Sequence, residues 1–240
     1  AVDADRLSLN GQPDDRLLAR VSRCLDLVCG TGRAPAAVTS TCNFPIAAGL
    51  ASSASAFSAL VVAASAAAGQ NADRTTLARL AGAASGSAAR SLLGGFVELA
   101  PGDDEISVQE LAGAADWPLE VVVAVTSAGE KPVSSGDAML RSAASSPFYT
   151  RWVDDQALDL DVARRAVAER DFAALARVAE HNCLKMHSVM WTSRPSIVYW
   201  NPTTLACMQE VRRLREQGLD VFFTIDAGPQ VKAVCRAADA

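Results

Sequence analysis

The residues best suited to chemistry occur in three stretches that are rich in small side chains. The first is the segment from Pro45 to Ser55 (PIAAGLASSAS), a loop expected to follow a strand and to open a helix. Backbone N–H groups at the start of a helix, together with the positive end of its dipole, bind anions. This is not a Walker A motif, because no Gly-Lys-Ser/Thr follows. The stretch predicts a phosphate-binding loop, and tight packing of an Ala- and Ser-rich helix is the alternative.

The second stretch surrounds an arginine. Ser85 and Ser87 flank Gly86, and Arg90 follows among small and apolar residues. A planar guanidinium binds a carboxylate or a phosphate through two parallel hydrogen bonds. Arg90 is therefore a candidate for binding an anionic substrate. The alternative is an arginine that caps helix carbonyls or pairs with a structural carboxylate.

The third stretch, from Phe222 to Pro229 (FFTIDAGP), places Asp226 at the end of an apolar strand. An Asp in that position is expected to be rigidly held and partly desolvated, as a catalytic carboxylate has to be. The alternative is an aspartate that accepts hydrogen bonds from the amides of its own loop.

Strands and helices in irregular alternation must position these stretches, which favours an α+β fold. The continuous apolar run of residues 119–125 predicts a central strand that is covered on both faces. Thr75 or Thr76 is expected to cap the second of the early helices. The other predicted elements are strands near residues 37–44, 96–99 and 221–225 and helices starting near residues 13 and 51, at 75–89, at 156–187 and after Asn201.

Composition narrows the classes of function. The chain has 240 residues, enough for two modest domains, and a net charge of −5, which argues against nucleic acid as a partner. The six cysteines are scattered, and His181 and His187 lie six residues apart, so no zinc-binding pattern is present. The charge-free stretch of residues 34–72 is mostly Ala, Ser and Gly, which predicts a buried helix and no membrane span.

Taken together, the motifs resemble a known family. The pattern Pro-x-x-x-Gly-Leu-Ala-Ser-Ser-Ala that starts at Pro45 is that of the phosphate loop of the GHMP small-molecule kinase superfamily. Within it, SGSAARS from Ser85 with GGFV from Gly94, EHNCLKMH from Glu180 and DAGP from Asp226 resemble the diphosphomevalonate decarboxylases. The resemblance covers essentially the whole chain in the right order.

The resemblance implies a two-domain α+β fold of the GHMP kinase type. Its N-terminal domain would be like ribosomal protein S5 domain 2, and its C-terminal domain would be ferredoxin-like, both incomplete at the chain ends. We expect the ATP- and phosphate-binding domain at residues 1–117 and the domain with the catalytic aspartate at residues 118–240.

The implied activity is ATP-dependent decarboxylation of 5-diphosphomevalonate to isopentenyl diphosphate, ADP, phosphate and CO2. By position, Asp226 matches the catalytic aspartate and Arg90 the arginine that binds the substrate carboxylate. ATP and Mg²⁺ are the implied cofactors, with Ser52 or Ser53 as a candidate metal ligand, and a cytoplasmic homodimer without nucleic-acid or membrane partners is expected. The implied substrate-binding residues are Ser85, Gly86, Ser87, Arg90 and Ser135, and the implied ATP-binding residues are Ala48, Gly49, Leu50, Ala51, Ser52, Ser53 and Ser55.

The sequence also departs from the family pattern. The N-terminal Lys-Tyr-Trp-Gly-Lys motif, which supplies a lysine to the active site, has no counterpart. Gly136 stands where many bacterial relatives have an arginine near the diphosphate, and Ala138 stands where glycine is usual. Three alternatives stay open: a phosphomevalonate decarboxylase, a mevalonate-type kinase that does not decarboxylate, and a non-catalytic relative that binds nucleotide.

Overall fold

A computed structural model describes residues 2–101 and 106–240, which form two compact units. The first comprises the described residues within Ala1–Pro45 and Ala51–Gly113, and the second comprises Ile46–Leu50 and Ala114–Ala240. The sequence-based domain boundary after residue 117 stays a prediction. The short segment 46–50, which lies in the expected phosphate loop, belongs to the second unit.

The first unit contains a three-stranded sheet, a helical layer and a hairpin. Strand β1 lies between β2, to which it is antiparallel, and β3, to which it is parallel, and β4 pairs with β5 in antiparallel fashion. Its elements are β1 (Arg6–Leu9), β2 (Gln12–Pro13), α1 (Asp15–Cys29), β3 (Ala37–Ser40), α2 (Ser52–Ala67), α3 (Arg74–Ala84), a 3-10 helix (Gly86–Leu92), β4 (Phe96–Pro101) and β5 (Ile106–Ala112).

Helices α1 and α2 form the core of the first unit. The Asp14 side chain caps α1 by accepting from the Leu17 N–H at 3.1 Å. Leu25 of α1 and Phe57 and Val61 of α2 are buried in one apolar cluster. Each such side chain stabilises the fold by about 1.5–3 kcal/mol through removal of apolar surface from water. In the described part of the chain, none of the helices has the length and apolar character that crossing a membrane requires.

The second unit places helices against an antiparallel sheet whose strand order is β6-β8-β7. Helices α7 and α8 both pack on β7. The mixture of helices and strands confirms the predicted α+β class. The elements are β6 (Leu119–Ala124), α4 (Ser135–Ser145), α5 (Tyr149–Asp154), α6 (Gln156–Glu169), α7 (Phe172–Trp191), α8 (Pro202–Glu216), β7 (Val221–Thr224), β8 (Val231–Arg236) and a 3-10 turn (Ala237–Asp239).

The helix predicted at residues 156–187 is two helices. Arg170 takes a left-handed conformation with φ 55°, which ends α6. Asp171 then caps α7, because its side chain accepts from the Ala174 N–H at 2.9 Å. The prediction of one continuous helix is wrong, since neither Gly nor Pro marks the break in the sequence.

Three further predictions need adjustment. Helix α3 is capped by Asp73, which accepts from the Thr76 N–H at 2.8 Å, and not by Thr75 or Thr76. It also ends at Ala84, because Ser85 is extended with φ −158° and ψ 110°, and a 3-10 helix follows. The strand predicted at residues 37–44 covers only Ala37–Ser40.

Strand β6 is not the central strand that its apolar run predicted. Among the described residues it pairs with β8 alone, and its Val121 and Val122 side chains are each 55% exposed. The central strand is β8, which is less continuously apolar and carries Lys232. Strand order is set by pairing across more than a hundred residues, so the local composition of β6 could not determine it.

Candidate functional site

Asp226 follows strand β7 on a turn whose preceding residue is held by helix α7. The preceding residue, Ile225, is 1% exposed, and its carbonyl lies 3.2 Å from His187 Nε2 and 3.5 Å from Cys183 Sγ, both on α7. The Gly228 N–H donates to the Asp226 carbonyl at 2.7 Å and tightens the turn. The predicted rigid placement of Asp226 at a strand end is thus present.

The Asp226 carboxylate points outward and is paired with a lysine. Its side chain is 64% exposed, and Oδ2 accepts from Lys232 Nζ at 2.8 Å. The expectation of a partly desolvated carboxylate is therefore wrong in this chain. The alternative, in which the carboxylate binds amides of its own loop, is also not what the described residues show, because the partner is a side chain on β8.

Two lysines that the sequence analysis did not select lie at this turn. Lys232 is only 13% exposed and joins Asp226 Oδ2 to the Gly49 carbonyl, which it reaches at 3.1 Å. Lys131 Nζ donates to the Ala227 carbonyl at 2.7 Å and to Ser135 Oγ at 2.5 Å. Burial lowers the pKa of Lys131, with nearby Asp226 opposing that shift and nearby Lys232 adding to it.

The sequence contained one usable signal for these lysines. Thr224 is opposite Lys232 across β7 and β8, so a hairpin folded around the Asp226 turn brings the lysine back to the aspartate. For Lys131 the spacing of four residues to Ser135 was the only hint. Ser135, which was predicted as substrate-binding, is exposed at the first turn of α4 and is connected to the turn through Lys131.

The predicted phosphate loop has an unusual backbone. Ala47, Gly49 and Ala51 have φ values of 58°, 88° and 58°, so positive φ recurs at every second residue. A left-handed conformation costs a non-glycine residue on the order of 1–3 kcal/mol, and such strain tends to occur at functional sites. Successive residues of alternating handedness turn their N–H groups into a concave site for an anion.

Gly49 is required where it stands, because the loop and the Asp226 turn touch backbone to backbone. A Cβ on Gly49 would lie 3.0 Å from the Gly228 Cα, and a Cβ on Gly228 would lie 2.8 Å from the Gly49 Cα. Cβ atoms essentially never come as close as the second distance, and the first is tighter than nearly all Cβ contacts, so either side chain would require the backbone to shift. These glycines hold the segment 46–50 against the turn that carries the candidate catalytic aspartate.

The first turn of α2 carries the remaining loop residues. Ala51 caps this helix with φ 58°, and no side chain caps it. Ser53 and Ser55 are exposed and Ser52 is half-buried, so hydroxyl groups surround the positive end of a 16-residue helix. Further along the helix the packing alternative also holds, since the buried Ser58 hydroxyl donates to the Ala88 carbonyl at 2.9 Å.

That hydrogen bond connects α2 to the second stretch of candidate residues. Ala88 and Ala89 are fully buried in the 3-10 helix, whereas Gly86, Ser87 and Arg90 are exposed. Among the residues that the structure describes, the Arg90 guanidinium has no carboxylate and no helix carbonyl as a partner. The structural alternatives for Arg90 therefore lack support, and its guanidinium is available to a ligand.

The structure groups the predicted residues unit by unit. In the second unit it brings together Asp226, Ser135 and the loop residues Ala48, Gly49 and Leu50. In the first unit, Ser85, Gly86, Ser87 and Arg90 lie on the segment that packs against α2, whose first turn carries Ser52, Ser53 and Ser55.

The motif from Glu180 to His187 supports the site from α7. Glu180 pairs with Arg215 at 3.0 Å and accepts from the Phe223 N–H at 3.2 Å, which fixes β7 to the helices. His187 is completely buried, and its ring packs on Trp200 with centroids 4.5 Å apart. Burial lowers the pKa of His187 to about 4, so the ring is neutral in the folded protein near pH 7.

Comparison with known proteins places this geometry in a family. The family model described as diphosphomevalonate decarboxylase-like N-terminal domain matches residues 1–110, and the one described as mevalonate 5-diphosphate decarboxylase C-terminal domain matches residues 121–239. Diphosphomevalonate decarboxylase mvd1 of Aspergillus fumigatus is 35% identical over 250 residues, covering 94% of this chain and 62% of that protein. The Candida albicans diphosphomevalonate decarboxylase is 31% identical, covering 95% of this chain and 68% of that protein.

Solved structures agree with the sequence relatives. The mevalonate diphosphate decarboxylase from Enterococcus faecalis superposes with a TM-score of 0.88 at 34% identity, covering 99% of this chain and 74% of that one. A structure of MDDEF in complex with MVAPP, AMPPCP and magnesium gives 0.89 at 36% identity with the same coverage. The fold is therefore that of the GHMP-kinase-like decarboxylases, and the chain belongs to the diphosphomevalonate decarboxylase family.

Proposed function

We propose that the protein catalyses ATP-dependent decarboxylation of 5-diphosphomevalonate to isopentenyl diphosphate, ADP, phosphate and CO2. The observation that carries the proposal is Asp226, an outward-facing carboxylate that Lys232 holds at 2.8 Å on a rigid turn beside the loop segment 46–50. Family membership and a related structure with MVAPP, AMPPCP and magnesium support it. A homodimeric assembly and a cytoplasmic location stay predictions.

The loop residues fit a nucleotide phosphate. Positive φ at Ala47, Gly49 and Ala51 and the mostly small side chains from Ala48 to Ser55 let a bulky anion approach the backbone of the loop. Mg²⁺ prefers oxygen ligands and keeps several waters, so one hydroxyl from Ser52 or Ser53 would suffice beside the phosphates. ATP supplies the phosphoryl group for the 3-hydroxyl of the substrate, and Mg²⁺ shares its charge.

Asp226 then acts on the hydroxyl that is phosphorylated. Lys232 fixes one carboxylate oxygen, and the exposed remainder of the group can accept a hydrogen bond from the tertiary 3-hydroxyl and orient or deprotonate it. Ser135, connected to the turn through Lys131, is assigned to the phosphate groups of the substrate. Ser85, Gly86 and Ser87 are assigned to binding the rest of the substrate.

Arg90 distinguishes this proposal from the runner-up, a GHMP-type kinase that phosphorylates without decarboxylating. Loss of CO2 requires the substrate carboxylate to be held while phosphate leaves and positive charge develops at C3. A guanidinium without a protein partner among the described residues suits that task, whereas a plain kinase has no need of it.

The direct test is turnover by the natural full-length protein with Mg·ATP and 5-diphosphomevalonate. We expect CO2 and ADP in equal amounts, measured by release from substrate labelled at the carboxyl carbon and by a coupled ADP assay. ADP without CO2 would identify the kinase alternative. If neither ADP nor CO2 were formed, both the decarboxylase and the kinase activity would be excluded.

Asp226→Asn tests the role of the carboxylate. The change is isosteric, so folding should be retained while kcat falls by at least about a hundredfold, the usual cost of losing a general base. The matched control is Asp220→Asn, which removes another exposed aspartate paired with a basic side chain at 2.8 Å, here Arg236. More than about a tenth of the wild-type activity in Asp226→Asn would contradict the assignment.

A further inference from the structure

Three successive carbonyl groups of the phosphate loop accept hydrogen bonds from the second unit. The Ala47 carbonyl accepts from the Lys131 N–H at 3.3 Å, the Ala48 carbonyl from Gln230 Nε2 at 2.9 Å, and the Gly49 carbonyl from Lys232 Nζ at 3.1 Å. All these groups belong to the same unit. The loop is therefore held in place through its backbone carbonyl oxygens.

A trans peptide group points its C=O and its N–H in opposite directions. With the Ala48 and Gly49 carbonyls turned toward β8, the N–H groups of Gly49 and Leu50 are turned away from it. Within the described ranges, those two N–H groups donate to no protein acceptor. They are thus left as donors on the face of the loop opposite Gln230.

Gln230 is the centre of this arrangement. Its side chain is completely buried, Nε2 donates both to the Ala48 carbonyl and to the Ser127 carbonyl, and Oε1 accepts from the Thr126 N–H at 2.7 Å. Both ends of the amide are satisfied, so the side chain cannot rotate without losing several buried hydrogen bonds, each costly to leave unmade. With its other partners fixed, the Gln230 side chain sets the position of the Ala48 carbonyl to which it donates.

We propose that Gln230 is a positioning residue of the phosphate loop, which turns the Ala48 carbonyl inward and so presents the Gly49 and Leu50 N–H groups to a phosphate of ATP. The proposal rests on the function proposed above and deepens it. Gln230 itself touches no phosphate. Its effect is to keep the strained loop, with positive φ at Ala47 and Gly49, in the conformation that binds the anion without reorganisation.

The test is Gln230→Met, which keeps the size of the side chain and removes its donors and acceptor. We expect the Kd for Mg·AMPPCP, measured by calorimetry, and the KM for ATP to rise about tenfold or more. At saturating ATP, kcat should stay within about threefold of wild type, and the Kd for 5-diphosphomevalonate without nucleotide should not change. A purely structural role would lower the melting temperature and leave nucleotide affinity unchanged.

Gly228→Ala perturbs the same loop by a different route. Its Cβ would meet the Gly49 Cα at 2.8 Å, so the loop must move while the hydrogen bonds of Gln230 remain possible. We expect weaker binding of Mg·AMPPCP here too. Should Gln230→Met fail to fold, this variant still tests the premise that nucleotide affinity depends on the position of segment 46–50, and unchanged affinity would overturn the proposal. The control is Gln70→Met, which removes another glutamine-to-carbonyl hydrogen bond of 2.9 Å, to Val28 in the first unit.

The outcomes separate this inference from the proposed function. If the wild type neither binds Mg·AMPPCP nor releases CO2, the proposed function fails. If the wild type binds the nucleotide and Gln230→Met and Gly228→Ala bind it equally well, the function stands and the positioning role of Gln230 is wrong.

Discussion

At the scale of single residues, the chemistry proposed for this chain depends on charged groups whose partners differ sharply. Asp226 and Lys232 hold each other, whereas Arg90 has no charged partner among the described residues. A paired charge is oriented before the substrate arrives, whereas an exposed unpaired one is hydrated and can exchange its water for a ligand. That contrast matches a fixed group that acts on the hydroxyl and an open cation that binds a carboxylate.

Arg90→Lys tests whether the Arg90 guanidinium binds the substrate carboxylate. Lysine keeps the charge and loses the planar fork, so binding of the substrate carboxylate should weaken by roughly 1–3 kcal/mol, which is about fivefold to 150-fold in affinity. The affinity for Mg·ATP should stay nearly constant, because the nucleotide is assigned to the phosphate loop. Both affinities can be measured by calorimetry on the same protein.

The control for Arg90→Lys is Arg23→Lys, which changes another exposed arginine of the first unit. Arg23 lies on α1, outside the candidate site. If Arg90→Lys weakened substrate and nucleotide equally, Arg90 would be a structural residue and its assignment to the carboxylate would be wrong.

Gly136→Arg tests the position where the family resemblance leads us to expect an arginine near the diphosphate. Gly136 is exposed beside Ser135 at the start of α4, and a Cβ there would meet only Ser134 Oγ, at 3.9 Å. An arginine should fit and add a charge-assisted hydrogen bond to the terminal phosphate, worth about 1.5–3 kcal/mol. The ratio of kcat/KM for 5-diphosphomevalonate to that for 5-phosphomevalonate should rise about tenfold or more. An unchanged ratio would show that position 136 does not face the phosphate.

At the scale of elements, local sequence signals predicted where a helix or strand starts and ends better than they predicted which strands pair. Asn201 and Pro202 predicted the start of α8, and the structure shows a capping box there, with the Thr204 N–H bonded to the Asn201 side chain at 2.8 Å. The break after Arg170 was missed because a left-handed arginine leaves no trace in hydropathy. Strand order was missed because β6 pairs with β8, a strand more than a hundred residues later in the sequence, and local composition does not reveal such a partner.

The same distinction holds for the candidate site. Asp226, Arg90 and the phosphate loop were recognisable because each carries a short motif in one stretch of chain. Gln230 and the contact of Lys232 with the loop were not, because both depend on carbonyl groups 182 and 183 positions away in the sequence. Spacing cannot reveal such a contact, and the side chains themselves are of common types.

Asp171→Ala tests the helix break that the sequence did not predict. The Asp171 side chain satisfies one N–H of the first turn of α7, so its removal should lower the free energy of unfolding by about 1 kcal/mol. Asp171→Asn should retain most of that stability, since Asn is an equally good cap. Urea unfolding followed by circular dichroism measures both, and equal loss in the two variants would show that the cap hydrogen bond is unimportant. Substrate affinity should not change in either.

At the scale of the whole molecule, two units imply that unfolding need not be a single transition. All four tryptophans of the sequence, Trp117, Trp152, Trp191 and Trp200, belong to the second unit. Intrinsic tryptophan fluorescence therefore follows that unit alone, while circular dichroism follows both. The two signals together can assign a change in stability to the unit in which it arises.

This separation makes the buried histidine testable. The pKa of His187 falls from its ordinary value of 6.5 to about 4 in the folded protein, because burial disfavours the charged ring. Between these pH values the unfolded chain binds a proton that the folded chain does not. The stability contribution is therefore complete above about pH 6.5 and is lost as the pH falls toward 4, by about 3 kcal/mol in total.

Urea unfolding of the second unit, followed by tryptophan fluorescence from pH 7 to pH 4.5, measures this loss. In His187→Gln the titrating group is absent, so the free energy of unfolding should depend less steeply on pH. The slope should be smaller than that of the wild type by up to about 1.4 kcal/mol per pH unit. His181→Gln, which changes an exposed histidine six residues earlier on the same helix, is the control. Equal slopes in wild type and His187→Gln would mean that His187 has the same pKa in the folded and the unfolded protein. The conclusion that a neutral His187 ring supports the Ile225 carbonyl, and with it the turn that carries Asp226, would then be wrong.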